Sequence, residues 1–328
     1  MIQRRPNYYD SFHCLGGACP DTCCRDWSVV PNEDALADYA AAPPPLKEHI
    51  AGSLVTDEDG DVCFRLDGDG MCALLTRDGL CRIQRDWGEA HLCAHCAAYP
   101  RFIEEYGCLT ESSLAVSCPE AARLLLEAPG FALVETGDGK NDAPFEDIEP
   151  GFLAGLEHSR AQVLALLDGD GGLWTKLRTV LAYAEALQAC IDAGDYPKMA
   201  ACPLAPAFPG EAPQRQASAA WLLNALAGLD PLRPDWPVLL KDRTRQLSCL
   251  SRLHYAKLCA DYARSVPAWE RRFTNLACYF VFRHWHKAVN DDALYGRAAF
   301  ACAAVPALYH LCLFQPGEEA ALWSRFSR

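Results

Sequence analysis

The pattern of apolar and polar residues divides this chain into two parts. From about residue 150 onwards, apolar residues recur every three or four positions, which is the spacing of a helix with one buried face. Trp269, Phe273, Leu276, Phe280 and His284 follow this spacing and form one face of a predicted buried helix. The pattern predicts helices at 152–167, 174–193, 214–227, 239–264, 267–289 and 292–313.

Before residue 135 the periodic stretches are short and are separated by glycine, proline and cysteine. Asn32 opens a helix that ends near residue 42, before three prolines, and Pro119 begins a helix at 121–127. Short strands are predicted at 61–66, 71–75 and 130–135, and the first two form a hairpin around the turn at 67–70. We therefore predict a mainly α protein. A loop-rich cysteine-cluster metal domain with minor β structure covers 1–135, a polar linker 136–150, and an α-helical domain 151–328.

Composition and charge restrict the class of protein. The chain has 328 residues, of which 51% are hydrophobic and 22% charged, as in a soluble globular protein of about two domains. The apolar run at 298–314 is short and interrupted by Pro306, so no membrane span is expected. Residues 1–130 hold 10 Lys and Arg against 21 Asp and Glu. This acidic balance argues against nucleic acid as a partner and is compatible with a lysine-bearing one.

Cysteine is the residue type that points to chemistry. Nine cysteines between residues 14 and 118 occur at short spacings, whereas Cys63 and Cys108 lie apart from these groups. Thiolates are soft anionic ligands, and such spacing favours zinc or an iron–sulfur cluster. A disulfide framework would need a secreted protein, and the first twelve residues lack the apolar core of a signal peptide, so we expect the reducing cytoplasm. The predicted metal ligands are Cys14, Cys19, Cys23, Cys24, Cys72, Cys81, Cys93, Cys96 and Cys118.

Nine thiols exceed the four that one zinc ion or one [4Fe–4S] cluster needs. Some are therefore structural, or lie behind the ligands, or bind a second metal. Cys118 precedes Pro119 at a helix N-terminus, where it acts either as a ligand or as a buried cap. Cys93 and Cys96 form a CxxC pair for which redox cycling is the alternative to metal binding, and His91 or His95 would complete a mixed site.

The order and spacing of these residues resemble the flagellin lysine N-methylase (FliB) family over about residues 1–127. Part of the pattern, from the Cys23-Cys24 pair to Pro100, is shared with the YkgJ-type cysteine cluster domains, which are described as zinc- or iron-chelating. More loosely, residues 269–283 resemble an aromatic, asparagine-containing helix of the family. The motifs that carry the resemblance are Phe12-x-Cys14-x4-Cys19-x-Asp21-Thr22-Cys23-Cys24-x2-Trp27, Cys72-x-Leu74, Gly79-Leu80-Cys81-x-Ile83, Gly88-x3-Leu92-Cys93-x2-Cys96-x2-Tyr99-Pro100-Arg101 and Ser117-Cys118-Pro119-Glu120-Ala121-Ala122-Arg123.

The resemblance implies methyl transfer from S-adenosylmethionine to surface lysines of flagellin, or of another lysine-bearing protein, with a [4Fe–4S] cluster held by the cysteines. Zinc is the alternative metal, and a non-catalytic zinc- or iron-binding protein is the alternative function. A lysine ammonium must lose its proton before its nitrogen attacks a methyl group, so a general base is required. Glu120, Glu111 and Tyr99 are candidates for that base. No glycine-rich methyltransferase loop or SET-type motif assigns the S-adenosylmethionine site or any other catalytic residue.

Overall fold

A computed structural model describes residues 1–137, 148–205, 216–230 and 234–326. The predicted linker at 136–150 lies mostly outside the described residues, and the division into two domains at that point stays a prediction. The described helices outnumber and outweigh the strands, so the predicted mainly α class is confirmed.

The helices of the first 137 residues are short, and those beyond residue 148 are mostly long. Their bounds are α1 Glu33–Ala40, α2 Leu46–Ala51, α3 Arg82–Asp86, α4 Ala94–Ala98, α5 Pro119–Glu127, α6 Pro150–Asp168, α7 Leu173–Asp192, α8 Tyr196–Ala201, α9 Gln216–Leu226, α10 Asp235–Cys249, α11 Arg252–Ser265, α12 Trp269–His284, α13 Leu294–Cys312 and α14 Glu319–Phe326. None of the helices in the described ranges combines the length and the apolar character that crossing a membrane requires.

The strands form a four-stranded sheet in the order β4-β5-β1-β6 and a separate pair, β2-β3. Within the larger sheet, β1 runs parallel to β5 and antiparallel to β6, so residues near both ends of the first 137 are brought together. The bounds are β1 Ile2–Pro6, β2 Leu54–Thr56, β3 Val62–Phe64, β4 Arg101–Tyr106, β5 Leu109–Leu114 and β6 Leu133–Thr136.

Most predicted helices are confirmed, including those near 32–42 and 121–127, but the helix predicted at 239–264 is wrong as a single element. The chain breaks between α10 and α11, where the Ser251 hydroxyl accepts a hydrogen bond from the His254 N–H at 3.2 Å. A serine in this position caps a new helix and ends the continuity of the apolar pattern. The short helices α2, α3, α4, α8 and α14 were not predicted.

The strand predictions are confirmed in part. The strand at 130–135 corresponds to β6, and the one at 61–66 contains β3. The hairpin is wrong as an extended pair of strands, because β3 pairs along its length with β2. Residues 71–75 contribute only isolated bridges, which join Arg25 to Met71, Leu66 to Cys72 and Leu75 to Cys81. The turn itself forms, with the Asp67 N–H bonded to the Met71 carbonyl at 2.8 Å. Strands β1, β2, β4 and β5 were not predicted.

Two separate apolar cores hold the described residues together. The small core is built from buried residues between Val29 and Cys93, including Tyr39 and Phe64. The large core runs from Tyr8 on the sheet side through α5 to Trp323 of α14, so the four-stranded sheet packs with the long helices. The region between the two cores is where the predicted metal ligands lie.

Helix α12 fixes α5 in place against the large core. Asn275 is fully buried on α12, and its side-chain amide donates hydrogen bonds to the carbonyls of Leu125 at 3.1 Å and Ala128 at 2.9 Å. These carbonyls belong to the C-terminal end of α5, which a helix leaves without partners of its own. The opposite end of α5 therefore has a defined position, and that end carries Cys118.

Candidate metal centre

All nine cysteines predicted as ligands line a single cavity of about 400 Å³ between the two cores. Cys63 and Cys108, which the spacing set apart, do not line it. The 18 cysteines of the chain are free thiols in the structure, so the disulfide alternative finds no support. The sequence thus identified a set of side chains that the fold brings together from positions more than one hundred residues apart.

Cys93 and Cys96 lie on one turn at the start of α4. Cys93 is the residue that precedes the helix and is almost fully buried, while Cys96 is partly buried. A hydrogen bond from the Cys96 thiol, helped by the backbone N–H of Cys96 and opposed by burial, lowers the pKa of Cys93 to about 6. The same hydrogen bond and burial raise the pKa of Cys96. One thiolate is therefore available at neutral pH without any metal.

Cys72 and Cys81 approach this pair from the turns that precede α3. Cys81 is the residue before α3, and the Cys72 N–H donates a 2.9 Å hydrogen bond to the Cys24 carbonyl. Burial, with smaller contributions from nearby Cys24, Cys81 and Cys93, raises the pKa of Cys72 to about 11. Burial also raises the pKa of Cys81. Thiols so placed stay protonated until a cation compensates the charge of their thiolates.

Cys23 and Cys24 are adjacent in sequence and their thiols are hydrogen-bonded to each other. Through this bond Cys23 lowers the pKa of Cys24 to about 7, with a further contribution from the Thr22 hydroxyl, against the effect of burial. The bond to Cys24 and burial raise the pKa of Cys23. The two thiols therefore shift each other's pKa in opposite directions.

Cys118 occupies the N-terminal end of α5, as the sequence predicted. Burial raises its pKa, the backbone N–H groups of Ala121 and Glu120 lower it, and nearby Cys19 and Cys14 raise it. Two backbone donors aimed at one sulfur suit an anionic ligand at a helix N-terminus. The same two N–H groups serve Cys118 as a ligand and as a buried cap.

The loop that carries Cys14 and Cys19 packs tightly on the turn before Cys81. A Cβ atom at Gly17 would lie 2.5 Å from the carbonyl oxygen of Asp78, a distance that only glycine permits. This close approach brings the loop to the edge of the cavity. Cys14 is exposed and Cys19 is partly buried, so this edge is the solvent side of the thiol set.

Tyr39 is a cavity residue that the sequence analysis did not single out. It belongs to the small core and is only 3% exposed, and its buried O–H has no acceptor in the described part of the chain. Burial raises its pKa, the nearby thiols of Cys93, Cys96 and Cys81 raise it further, and a hydrogen bond from the Cys93 backbone N–H lowers it. A buried hydroxyl that donates no hydrogen bond costs stability unless a bound group accepts one from it. The only signal in the sequence was the apolar face of α1, which does not distinguish this tyrosine from a packing residue.

The three candidate bases are not equivalent in the structure. Glu120 lines the cavity, with Arg123 donating to both of its carboxylate oxygens at 2.8 and 2.7 Å. Tyr99 also lines it, and its hydroxyl lies 3.1 Å from the Ser117 hydroxyl. Glu111 does not line the cavity.

Glu111 instead belongs to a buried ion-pair network between the sheet and α6. Burial alone would raise its pKa, but hydrogen bonds and charge from Arg160 hold that pKa well below its usual range. Arg4 bonds to Glu111 at 3.0 Å and to Glu157 at 2.6 Å, and His286 lies 3.5 Å from Glu111. These side chains have the spacing of a cation site, but two arginines already neutralise the carboxylates. The arrangement is that of a structural network.

The histidines near the CxxC pair are not cavity residues. His91 pairs with Asp38 at 2.7 Å and stacks on the ring of Trp87 at 3.7 Å between ring centroids. Neither His91 nor His95 lines the cavity. The structure therefore gives no support to a mixed histidine–cysteine site.

The nine thiols are suitable ligands for zinc or for an iron–sulfur cluster, and the distances between them help to distinguish the two. A tetrahedral zinc ion with bonds of about 2.3 Å would bring its sulfur ligands to roughly 3.8 Å from each other. Among the described residues, which include all nine thiols, no three thiols lie within 4.8 Å of one another. A cluster of several metal ions spreads its ligands further apart than a single ion does. A bound cluster fits three features of the cavity: its nine thiols, its volume, and the Tyr39 hydroxyl, whose O–H has no acceptor among the described residues.

Comparison with known proteins finds relatives that match part of this chain. The chain is 27% identical over 135 residues to the flagellar biosynthetic protein FliU of Salmonella muenchen, covering 38% of this chain and 76% of that protein. It is 28% identical over 142 residues to the lysine-N-methylases of Salmonella typhimurium and Salmonella choleraesuis, covering 40% of this chain and 34% of each of those proteins. The matched region thus spans about a third of the length of the lysine-N-methylases. No family model and no solved structure matches. These relatives confirm the resemblance to the lysine N-methylase family.

Proposed function

We propose that this chain, which resembles the lysine N-methylases, is a protein lysine N-methyltransferase that uses S-adenosylmethionine and holds an iron–sulfur cluster in its cysteine-lined cavity. The observation that carries the proposal is the convergence of all nine motif cysteines on one cavity. The relatives named lysine-N-methylase supply the reaction class. The substrate in this proposal is a lysine of flagellin or of another protein, and the compartment is a reducing cytoplasm that keeps the thiols free.

The cavity residues suit an iron–sulfur cluster in three ways. Thiolates are the ligands of such clusters, the N–H groups at the start of α5 face Cys118, and the Tyr39 O–H has no acceptor among the residues that the structure describes. When bound, the cluster supplies electron-transfer chemistry whose potential depends on hydrogen bonds to sulfur and on burial. The protein contributes ligands, exclusion of water by the two cores, and donors placed near the sulfur atoms.

The methyl acceptor imposes a separate requirement on the site. A lysine nitrogen forms its new N–C bond only after it has lost a proton, and the S–C bond of the methyl donor breaks in the same transfer. Glu120 and Tyr99 are the candidate bases that line the cavity. Glu111 is a poor proton acceptor because Arg160 holds the pKa of its carboxyl group well below its usual range. Glu111 also lies in a different part of the molecule.

A non-catalytic zinc- or iron-binding protein is the second candidate. One specific observation favours it: the match spans about a third of the curated lysine-N-methylases, so much of their length has no counterpart in the aligned region. A domain that only binds metal would need the cysteines and nothing more. The alternative and the leading proposal therefore agree on the cavity and differ on catalysis.

One experiment separates the two candidates. The chain is purified anaerobically and incubated with S-adenosylmethionine carrying a labelled methyl group and with flagellin, and labelled lysine is sought by mass spectrometry. A brown protein that transfers the label supports the leading proposal. A protein that binds iron or zinc and transfers no label contradicts the enzyme and favours the binding protein.

Cysteine variants inside the cavity test the proposed ligands, and a cysteine variant outside the cavity is the matched control. Cys96→Ala and Cys118→Ala are expected to lower iron content and methyl transfer together, because site and fold are coupled. Cys190→Ala changes a buried thiol of the large core that does not line the cavity, and it should leave iron content unchanged. Full iron loading in the two cavity variants would reject these residues as ligands.

A further inference from the structure

Strand β4 lies at the edge of the four-stranded sheet and begins at the cysteine-lined cavity. Among the described strands, only β5 pairs with it. Its first residue, Arg101, lines the cavity, and so do Tyr99 and Pro100 just before it. Arg101 is also exposed to solvent. The free edge of β4 therefore leads along the protein surface to the rim of the cavity.

The pairing of β4 with β5 determines which backbone groups of β4 point outward. The Ala115 N–H donates a 2.8 Å hydrogen bond to the Pro100 carbonyl, and the register continues without a break to the end of β4. Bonded and non-bonded residue pairs alternate in an antiparallel ladder. The backbone N–H and C=O groups of Arg101, Ile103 and Glu105 therefore point away from β5.

These outward backbone groups have no hydrogen-bond partner in the part of the chain that the structure describes. The side chains at the same three positions are open to solvent. Arg101 and Glu105 are exposed, and the apolar side chain of Ile103 between them is 63% exposed. An exposed edge strand with unpaired backbone groups and an apolar side chain pairs readily with another extended chain.

The opposite face of β4 is fixed against α12 and the turn that follows it. The guanidinium of Arg283 lies over the Phe102 ring, 3.7 Å from the ring centroid, and Glu104 pairs with Lys287 at 2.5 Å. Tyr106 at the end of the strand is buried. The edge is therefore formed before any partner arrives, and pairing with it needs no rearrangement of β4.

The chemistry of this edge selects the kind of occupant. A row of alternating N–H and C=O groups is matched by another extended polypeptide, which presents its own groups at the same spacing. The stretch from residue 101 to residue 105 is about 14 Å long, which is enough for about five partner residues. Glu105 has no ion pair among the described residues, and residues 1–130 hold 21 Asp and Glu against 10 Lys and Arg. This charge favours a segment that carries lysine.

We propose that the free edge of β4 is the docking site for the protein substrate, which adds a short lysine-bearing segment to the sheet as a fifth strand. A segment paired along β4 passes the cavity at Arg101, where the flexible four-carbon stem of a lysine carries its amine from the paired backbone towards the cavity. This inference rests on the proposed function, because the occupant is the methyl acceptor of that function.

Hydrogen exchange of the unmodified chain tests the pairing directly. Amide exchange is measured residue by residue without S-adenosylmethionine, with and without excess monomeric flagellin. The amides of Arg101, Ile103 and Glu105 should exchange quickly in the free chain and at least about tenfold more slowly with flagellin, because each enters a new ladder. Unchanged exchange at these amides overturns the inference. Slowing that grows with the concentration of the chain alone also overturns it, because a second copy then covers the edge.

A proline variant removes one outward donor and leaves the existing ladder in place. Ile103→Pro deletes an N–H that does not bond to β5, and the proline ring obstructs the edge. We expect this variant to bind flagellin at least about tenfold more weakly than the unmodified chain. Unchanged binding would contradict the docking site.

Thr56→Pro is the matched control, because it makes the same change on an edge strand away from the cavity. The Arg65 N–H donates a 2.8 Å hydrogen bond to the Ser53 carbonyl, which places Thr56 at a non-bonded position of the β2–β3 pair. Thr56 is exposed and does not line the cavity. Flagellin binding should not change in this variant, and equal losses in the two proline variants would contradict the role of β4.

Docking and methyl transfer are measured separately, so that their failures are distinguishable. Slowed exchange at β4 without label transfer refutes only the proposed enzyme. Label transfer without slowed exchange at β4 refutes only the docking site. If Ile103→Pro is insoluble, hydrogen exchange of the unmodified chain decides the question by itself.

Discussion

Arg160 on α6 and Glu111 on β5 form a buried ion pair that joins the helices to the sheet. Arg160 donates to both carboxylate oxygens, one at 2.7 Å, and the exposed fractions of the two side chains are 2% and 5%. Arg160 also donates to the Phe282 carbonyl at 3.1 Å, which ties α12 to the same point. Because the pair is hidden from water, its disruption leaves a buried carboxylate with fewer donors.

Arg160→Met should therefore lower the free energy of unfolding by about 3–5 kcal/mol, because it removes one partner of a buried pair. Urea unfolding at neutral pH measures the change. The matched control is Arg264→Ala, which breaks an exposed pair with Asp261 and should change stability by less than about 1 kcal/mol. Equal losses in the two variants would show that the buried pair has no special role.

His286 predicts a pH dependence of stability. Burial first, and then the charge of Arg160, lowers its pKa to about 4, although Glu111 and Glu157 act in the opposite direction. In the unfolded chain its pKa is about 6.5, so the unfolded state binds a proton that the folded state does not. Stability should fall as pH drops from about 6.5 to about 4, by up to roughly 3 kcal/mol from this group.

Denaturant unfolding at a series of pH values tests this dependence. His286→Asn should flatten the decline between those limits, whereas Asn at the exposed His158 should leave it unchanged. The lowered pKa of Glu111 acts in a different window, since its contribution is lost only as pH falls below its unfolded value of about 4.3. A decline of the same slope in His286→Asn would contradict the assignment.

The hydrogen bonds of Asn275 predict that the long helices affect metal binding in the cavity. Asn275→Ala leaves the carbonyls of Leu125 and Ala128 without donors, and we expect a loss of about 2 kcal/mol in the free energy of unfolding. Because α5 positions Cys118, iron retention during dialysis should also fall. Asn224→Ala, at an exposed position on α9, is the control and should change neither quantity.

We expect removal of the Tyr39 hydroxyl to change the midpoint potential of the proposed cluster and to leave the metal content unchanged. Its buried hydroxyl lies among Cys81, Cys93 and Cys96, and its O–H has no acceptor in the described residues. A cluster bound in the cavity would accept that hydrogen bond. Tyr39→Phe removes a donor to sulfur, which should make the centre harder to reduce and lower its midpoint potential. A redox titration followed by EPR measures this, and Tyr183→Phe, outside the cavity, is the control. An unchanged potential at full iron loading would contradict the hydrogen bond.

The sequence by itself determined most of the long helices and the set of cysteines that line the cavity, because both follow from local patterns. A helix needs only a repeat of three to four residues, and the cysteine spacings identified nine side chains that all reach the cavity. It also located Cys118 at the start of α5, since a proline in the first turn is a signal within the segment itself.

Tertiary structure decided what depends on distant partners. Strand β1 pairs with β5 across more than one hundred residues. Pairing of this kind is set by which surfaces become buried together, which no local pattern encodes. The same reason applies to the site. Only tertiary packing could bring the nine cysteines to one cavity, and only burial could pair Glu111 with Arg160 away from that cavity.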